Sequence, residues 1–166
     1  MNNCYVQLFC GNGEGKSSAA IGKAIRMAAM GKSVVVVQFL KEKQSGDSLD
    51  FFKRLEPEVK LFRFQRFPEN FENLTEDEKA EEILNIKNGM NFAKKVLVTE
   101  ECDVLVLDEI LGLEDKGIIN AQDIRGLLEN ASDGTEIYLT GTSRCEDLWD
   151  CADEITELCR ISCKNA

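Results

Sequence analysis

The residues of this chain with the clearest chemical meaning form a glycine-rich loop near its start. From Cys10 to Ser18 the chain reads C-G-N-G-E-G-K-S-S. The phosphate-binding pattern G-x-x-x-x-G-K-[ST] combines glycines that expose backbone N–H groups, a lysine that supplies charge and a hydroxyl that ligates Mg2+. The chain departs from it only at the first glycine, where Cys10 stands beside Gly11. The loop predicts a nucleoside triphosphate site, and the alternative is a glycine turn without a ligand.

The predicted site takes in the whole loop and the start of the helix after it. Lys16 supplies charge, Ser17 ligates Mg2+, and the helix beginning near Gly15 adds the positive end of its dipole. We expect the three alternating glycines to take φ > 0 and to aim N–H groups into one concavity. The residues predicted to contact the nucleotide are Gly11, Asn12, Gly13, Glu14, Gly15, Lys16, Ser17, Ser18 and, unless it is solvated surface, Arg26.

The second chemical feature is the acidic pair Asp108 and Glu109, which directly follows the apolar run 104–107. Four apolar residues and then an acid is the Walker B form, in which the carboxylate holds Mg2+ directly or through water. Two solvated acids after a buried strand are the alternative. Because MgATP needs a carboxylate near the loop serine, the predicted metal ligands are Ser17, Asp108 and Glu109.

The pattern of apolar runs predicts the elements that position these residues. Strands alternate with helices, which is typical of a single α/β domain with a P-loop NTPase-like (RecA-like) three-layer sandwich and a mostly parallel sheet. In such a sheet, ligands bind at the carboxyl ends of the strands. Strands are predicted at 4–9, 33–39, 59–64, 104–107, 136–140 and 155–161, helices at 16–30, 48–55, 75–98 and 120–129, and a helical turn or two at 146–151.

Composition and charge exclude several classes of function. The 166 residues carry a net charge of -10, which repels nucleic acid and anionic lipid, so we expect no nucleic-acid or membrane partner. The chain has no histidine, which excludes His-based acid/base and metal chemistry. Seven cysteines, an odd number without a C-x2-C pair, fit a reducing compartment, and no signal peptide is visible. We therefore expect a cytoplasmic protein whose cysteines are mostly small buried apolar residues.

Two further segments are candidates for substrate contact. The polar turn at 140–144 follows a predicted strand, so it either contacts the nucleotide or a second substrate, or is a plain strand-ending turn. Among the clustered aromatic residues, Phe67 and Phe71 lie outside any periodic element. We predict that these two line an apolar pocket, whereas the other clustered phenylalanines belong to the core.

Several segments, in order and spacing, resemble the P-loop type of ATP:corrinoid adenosyltransferase. The segments are 11–20, Arg26, 37–41, 106–109, 139–141 and 152–158. The resemblance implies that ATP binds the loop with Mg2+ or Mn2+, and that the Co(I) of a corrinoid attacks the 5′ carbon of the ribose and releases triphosphate. No proton transfer is needed, because Co(I) is a strong nucleophile and the leaving group is anionic. A histidine-free chain is compatible with this chemistry.

The same resemblance implies roles for individual residues. Lys16 and Glu109 would act in catalysis, Asp108 would join Glu109 on the metal side, and Arg26 would contact the nucleotide. Gln38 and Lys41 match the strand end of the family and are candidate substrate contacts. Phe67 and Phe71 are candidates on the ground of the aromatic cluster given above. A homodimer and a flavoprotein reductant are the implied partners.

The chain departs from the family pattern at four places. Glu14 stands where the family usually has lysine, Thr142 replaces an arginine, and the region 64–68 has no tryptophan. The last residues of the sequence, 162–166, do not match the glycine-rich C-terminal tail of the family. The alternatives are a diverged ATP-binding paralogue without adenosyl transfer and a small-molecule kinase. A kinase would be expected to carry a basic lid, for which only 41–43 qualifies.

Overall fold

The computed structural model describes residues 3–40 and 47–164, in which six parallel strands form one sheet. The strand order is β3-β2-β4-β5-β1-β6. The sequence predicted a mostly parallel sheet, and every strand pair here is parallel. The strands are β1 (Tyr5–Cys10), β2 (Val34–Phe39), β3 (Val59–Phe64), β4 (Val104–Asp108), β5 (Glu136–Thr140) and β6 (Glu154–Glu157).

Helices cover both faces of the sheet and give the expected three-layer sandwich. Residues of α1 pack with Val36 and Val106 on one face, and residues of α3, α4 and α5 pack with Val37 and Leu107 on the other. Neighbouring residues of one strand thus enter opposite cores, as strand geometry requires. The helices are α1 (Lys16–Ala29), α2 (Asp47–Lys53), α3 (Glu76–Val98), α4 (Ile110–Asp115) and α5 (Ala121–Leu128), and short 3-10 helices lie at Phe71–Asn73 and Glu146–Cys151.

The central strands β2 and β4 are buried along their whole length. Their valine and leucine side chains suit a strand covered on both faces, which is why these runs are continuous rather than alternating. The pairing register sets Gln38 opposite both Arg63 and Asp108, and Phe9 opposite Thr140. The polar residues at the carboxyl ends of four strands therefore lie along one edge of the sheet.

The predicted helix boundaries hold where a cap is visible in the sequence. The hydroxyl of Thr75 accepts the N–H of Glu78, and the Glu78 carboxylate accepts the N–H of Thr75, which forms the predicted capping box of α3. At the end of α1, Gly31 has a φ of 89°. None of the helices in the described part of the chain is long and apolar enough to cross a membrane.

One predicted element has the wrong bounds, and one helix was not predicted. The last strand ends at Glu157 instead of continuing to residue 161, because its neighbour β1 ends at Cys10 and the chain there turns into the glycine loop. The helix α4 was not predicted at all. Its first four residues are buried, so its sequence lacks the polar face that makes a short helix recognisable.

Candidate functional site

The glycine loop connects β1 to α1 at the carboxyl edge of the sheet, as predicted. Gly11 and Gly15 have φ values of 102° and 100°, a region that disfavours other residues. The Lys16 Nζ donates a hydrogen bond to the Gly13 carbonyl at 2.7 Å, so the lysine lies along the loop. Gly15 begins α1, whose first-turn N–H groups and positive dipole end face this edge.

Gly13 has a different role from the one predicted. Gly13 is not one of the described residues that have a positive φ. Its N–H donates to the Leu158 carbonyl at 2.8 Å. A Cβ at Gly13 would lie 2.7 Å from that carbonyl oxygen, and one at Gly11 would lie 2.4 Å from it. The glycine at position 13 is therefore required by the close approach of the chain after β6. The expectation that Gly13 takes φ > 0 is wrong. The expectation that all three glycines aim their N–H groups into one concavity is also wrong, because the Gly11 N–H donates to the Thr142 carbonyl at 3.2 Å and the Gly13 N–H is taken by Leu158.

Asp108 links the loop to three strands. Its side chain is fully buried, and its Oδ1 accepts hydrogen bonds from the Ser17 hydroxyl at 2.6 Å and the Thr140 hydroxyl at 2.7 Å. Its Oδ2 accepts the Gln38 amide at 3.0 Å. Several donors are what a buried carboxylate needs, since an unpaired one is costly to desolvate. The structure thus brings together the predicted residues Ser17 and Asp108.

Gln38 is held in one orientation by a residue that sequence reasoning missed. The Arg63 guanidinium on β3 donates to the Gln38 Oε1 from Nη2 at 3.0 Å and from Nε at 3.3 Å. Because the side-chain oxygen of Gln38 faces Arg63, the side-chain nitrogen of Gln38 faces Asp108. The signal available in the sequence was the position of Gln38 and Arg63 near the ends of adjacent predicted strands.

Glu109 lies beside Asp108 but points along the next helix. Its φ is 69°, its N–H donates to the Thr140 hydroxyl at 2.9 Å, and it is the N-cap residue of α4. A Cβ added at Gly112 would lie 2.4 Å from the Glu109 Oε1, so the carboxylate folds back over the first turn of α4. The backbone of Glu109 is thus hydrogen-bonded to Thr140, the first residue of the turn at 140–144. The sequence left open whether this turn contacts the nucleotide or a second substrate, or is a plain strand-ending turn.

The remaining predicted nucleotide contacts are spread over a larger region. Asn12, Glu14 and Ser18 are exposed at the loop. Arg26 lies exposed in the last turn of α1, about 15 Å along the helix from Lys16 at about 1.5 Å per residue, so the structure does not group it with the loop. Lys41 lies outside the described residues.

Phe67 and Phe71 follow β3 at the same edge of the sheet. Both are half-buried, and Phe71 opens a one-turn 3-10 helix. β3 and β1 are four strand spacings apart, about 19 Å at about 4.8 Å each, so these rings stand well to one side of the loop. The buried Glu82 of α3 anchors this segment by accepting the backbone N–H groups of Arg66 and Phe67 at 3.0 to 3.1 Å.

Glu82 was also missed by sequence reasoning. It lies four residues before Ile86 on the buried face of α3, so an acid among the apolar positions of that helix was the available signal. Its acceptance of two backbone N–H groups fixes where the chain after β3 crosses the edge of the sheet.

Arg144 lies on the other side of the loop. Its guanidinium pairs with Glu157 at 3.6 Å and Glu146 at 3.2 Å, and stacks on the Trp149 ring at 4.9 Å. Of these residues, Arg144, Glu157 and Trp149 border a cavity of about 260 Å³ that Cys10 also lines. Burial raises the pKa of the Cys10 thiol, with the Glu157 charge adding to the effect. Cys10 therefore stays a neutral thiol beside the loop at neutral pH.

The described residues contain no cluster of three or more acidic or cysteine side chains that could hold a metal alone. Ser17 and Asp108 nevertheless supply a hydroxyl and a carboxylate 2.6 Å apart. Mg2+ is usually bound by one or two carboxylates together with substrate phosphates, rather than by an all-protein cage. The donor set fits an ion that arrives with a nucleotide.

A parallel sheet with a glycine loop before α1, and with a buried acid on β4 bonded to the loop serine, defines a P-loop nucleotide-binding protein. More specifically, the chain belongs to the ATP:corrinoid adenosyltransferase family and is a transferase. The family profile described as ATP:corrinoid adenosyltransferase BtuR/CobO/CobP matches residues 2–164.

Three relatives illustrate the similarity. A corrinoid adenosyltransferase of Sinorhizobium sp is 31% identical over 149 residues, which cover 89% of this chain and 68% of the relative. The corrinoid adenosyltransferase CobA of Salmonella typhimurium is 28% identical over 153 residues, covering 92% of this chain and 75% of the relative. The corrinoid adenosyltransferase of Escherichia coli is 27% identical over 153 residues, which cover 92% of this chain and 75% of the relative.

Proposed function

We propose that this protein transfers the 5′-deoxyadenosyl group of ATP to the Co(I) of a corrinoid and releases triphosphate. The observation that carries the proposal is the 2.6 Å hydrogen bond between Ser17 and Asp108, in a chain of this family. It joins the loop that would hold the triphosphate to the acid that would face its metal ion. The reacting C5′ atom would then lie at the carboxyl edge of the sheet.

The reaction needs positioning and charge stabilisation from the protein. The electron pair of Co(I) forms the Co–C5′ bond, the C5′–O bond breaks, and the triphosphate leaves with the bonding pair, while cobalt becomes formally Co(III). No proton moves in this step, so a chain without histidine can support it. Lys16 and the N-terminus of α1 would stabilise the charge on the departing triphosphate.

Mg2+, or Mn2+ in its place, belongs to the proposal as the ion that accompanies ATP. Its support is the oxygen donor pair of Ser17 and Asp108, with the neighbouring Glu109 as a further acid. When bound, the ion neutralises charge on the phosphate oxygens. Asp108 is already oriented by Thr140 and Gln38, so little side-chain ordering remains at the moment of binding.

The corrinoid would approach from the β3 side of the same edge. Phe67 and Phe71 would supply an apolar contact to the lower face of cobalt, and Gln38 and Lys41 are the proposed polar contacts. A Co(II) corrinoid must first gain one electron, which we assign to a reduced flavoprotein. We further propose a homodimer, and a cytoplasmic location that suits the seven free thiols.

The experiment that tests the function uses ATP labelled in two places, on the adenine ring and on the γ-phosphate, together with a chemically reduced Co(I) corrinoid. The proposal expects the ring label in the corrinoid and the phosphate label in intact triphosphate. Transfer of the γ-phosphate alone would identify a kinase instead. Binding of ATP without any transfer, in the presence of bound Co(I) corrinoid, would identify a non-catalytic paralogue.

A further inference from the structure

The phosphate loop carries an acid at its centre. Glu14 lies between Gly13 and Gly15, and its side chain is 89% exposed. A triphosphate bound in the loop would place several negative charges close to this carboxylate, on a protein whose net charge is already -10. Like charges at such distances repel appreciably near a protein surface. The loop therefore needs a compensating cation in addition to Lys16.

The segment after β6 brings an arginine to this acid. The Leu158 N–H donates to the Cys10 carbonyl at 2.8 Å, and the Gly13 N–H donates to the Leu158 carbonyl at 2.8 Å. These two backbone bonds fasten the segment along the loop. Two residues further on, the Arg160 Nη2 lies 2.8 Å from the Glu14 Oε1.

The Arg160–Glu14 ion pair is exposed to solvent. Both side chains are solvent-accessible, 44% for Arg160 and 89% for Glu14, and exposed ion pairs contribute little to folding. The backbone near Arg160 is fixed while its long side chain can change partner. A guanidinium also binds phosphate oxygens in a bidentate manner, which a single carboxylate contact does not use fully.

We propose that Arg160 is a triphosphate-binding residue, and that Glu14 holds its guanidinium at the rim of the loop until the phosphates arrive. The inference rests on the proposed function, since it places the triphosphate of ATP in the loop. On binding, Arg160 moves from the Glu14 carboxylate to phosphate oxygens and shields Glu14 from them. Arg160 then stays bound to the triphosphate when the triphosphate departs as the leaving group.

Calorimetric titration with inorganic triphosphate and with MgATP tests the exchange, because the two partners should act in opposite directions. Arg160→Ala should bind both ligands about tenfold more weakly, the scale of a lost hydrogen bond between charged groups. Glu14→Gln should bind them about threefold more tightly, because it removes one repelling charge and releases Arg160. Both effects should shrink as ionic strength rises.

Two further variants make the test specific. Lys164→Ala removes the same charge from the same segment and should bind like the unmodified protein. Arg160→Lys keeps the charge without the bidentate geometry and should bind with intermediate affinity. Equal thermal unfolding of all variants would show that they fold alike.

The outcomes separate this inference from the proposed function. If Lys16→Ala weakens binding while Arg160→Ala binds as tightly as the unmodified protein, the Arg160 proposal fails and the loop remains the triphosphate site. If Glu14→Gln and Arg160→Ala both weaken binding, the pair is only structural, and the proposal fails as well. If the unmodified protein binds neither ligand, the proposed function fails together with it.

Discussion

The Ser17 hydroxyl lies 2.6 Å from the Asp108 Oδ1, and this hydrogen bond joins the first turn of α1 to the end of β4. The two residues are 91 positions apart in the chain. Asp108 also accepts the Thr140 hydroxyl and the Gln38 amide, so the loop, β2, β4 and β5 meet at one carboxylate. The residues proposed for the metal side of the site thus already contact one another through this carboxylate.

Replacing Asp108 by asparagine tests this carboxylate. The change removes a charge and sets an amide against the Gln38 amide, whose orientation Arg63 fixes. We expect adenosyl transfer at limiting MgATP to fall about 10- to 100-fold, because hydrogen bonds to charged groups contribute about 1.5 to 3 kcal/mol. This loss of activity is measured from the initial rates of Co–C bond formation.

The matched control is Asp103→Asn, at the opposite end of β4. Hydrogen bonds from Ser33 hold the pKa of the Asp103 carboxyl below its usual value, so its stabilising effect is present above the unfolded pKa and is lost as pH falls through the folded pKa. This variant should be less stable than the unmodified protein near neutral pH, the difference should disappear in acid, and its activity should be unchanged. Normal activity of Asp108→Asn would remove Asp108 from the metal site.

Glu109→Gln keeps the shape of the side chain and removes its charge. We expect it to reduce Mg2+-dependent activity much more than thermal stability, because the proposed role of Glu109 is electrostatic. Gly112→Ala moves the same carboxylate without changing it, since the new methyl group would lie 2.4 Å from the Glu109 Oε1. A large loss of stability with normal activity in both variants would show that Glu109 is structural.

The aromatic residues after β3 are tested by two substrates of different oxidation state. If Phe67 or Phe71 helps strip a ligand from the lower face of cobalt, Co(II) becomes easier to reduce. Phe67→Ala and Phe71→Ala should then slow adenosylation of a Co(II) corrinoid with a reductant more than that of pre-reduced Co(I). Equal, near-normal rates for both substrates would exclude this role.

The cysteines provide a chemical probe of the loop. Cys159 and Cys163 are exposed, whereas burial raises the pKa of Cys10 above its ordinary value and that of Cys102 to about 12. Near pH 8 the two buried thiols remain protonated, so iodoacetamide should alkylate Cys159 and Cys163 first, because the thiolate is the nucleophile. The order of modification can be read by peptide mass spectrometry.

The same labelling reports on nucleotide. A Cβ at Gly13 would lie 3.0 Å from the Cys159 nitrogen, so Cys159 borders the loop. Triphosphate should slow the alkylation of Cys159 while that of Cys163 is unchanged. Equal protection of both thiols, or early reaction of Cys102, would contradict this arrangement of the segment after β6.

Most of the sheet could be predicted because its strands are strongly patterned. Five predicted strands lie within one residue of the observed bounds. Four of them are mostly buried and apolar, and the third, β3, alternates apolar residues with charged ones. The last strand was predicted too long because apolar Leu158 and Ile161 continue its pattern. Leu158 instead bonds to the turning loop, a tertiary contact that local pattern does not encode.

The geometry of the candidate site could be predicted where a short motif places the residues. The loop and Asp108 come from such motifs, and the structure sets Ser17 against Asp108. The roles of Arg63 and Glu82 could not be predicted from the sequence. They depend on which strands are neighbours in the sheet and on which backbone groups cross its edge. The carboxyl of Glu14 and the guanidinium of Arg160 likewise meet only after the fold has formed.

Adenosyl transfer is measured most directly by the amount of inorganic triphosphate released for each Co–C bond formed from MgATP and a Co(I) corrinoid. We expect one triphosphate per bond. For Lys16→Ala we expect a rate about 10- to 100-fold lower, the effect of losing a charged hydrogen bond of about 1.5 to 3 kcal/mol. Failure to form the Co–C bond, release of phosphate in place of triphosphate, or an unchanged rate in Lys16→Ala would show that the protein does not act in this way.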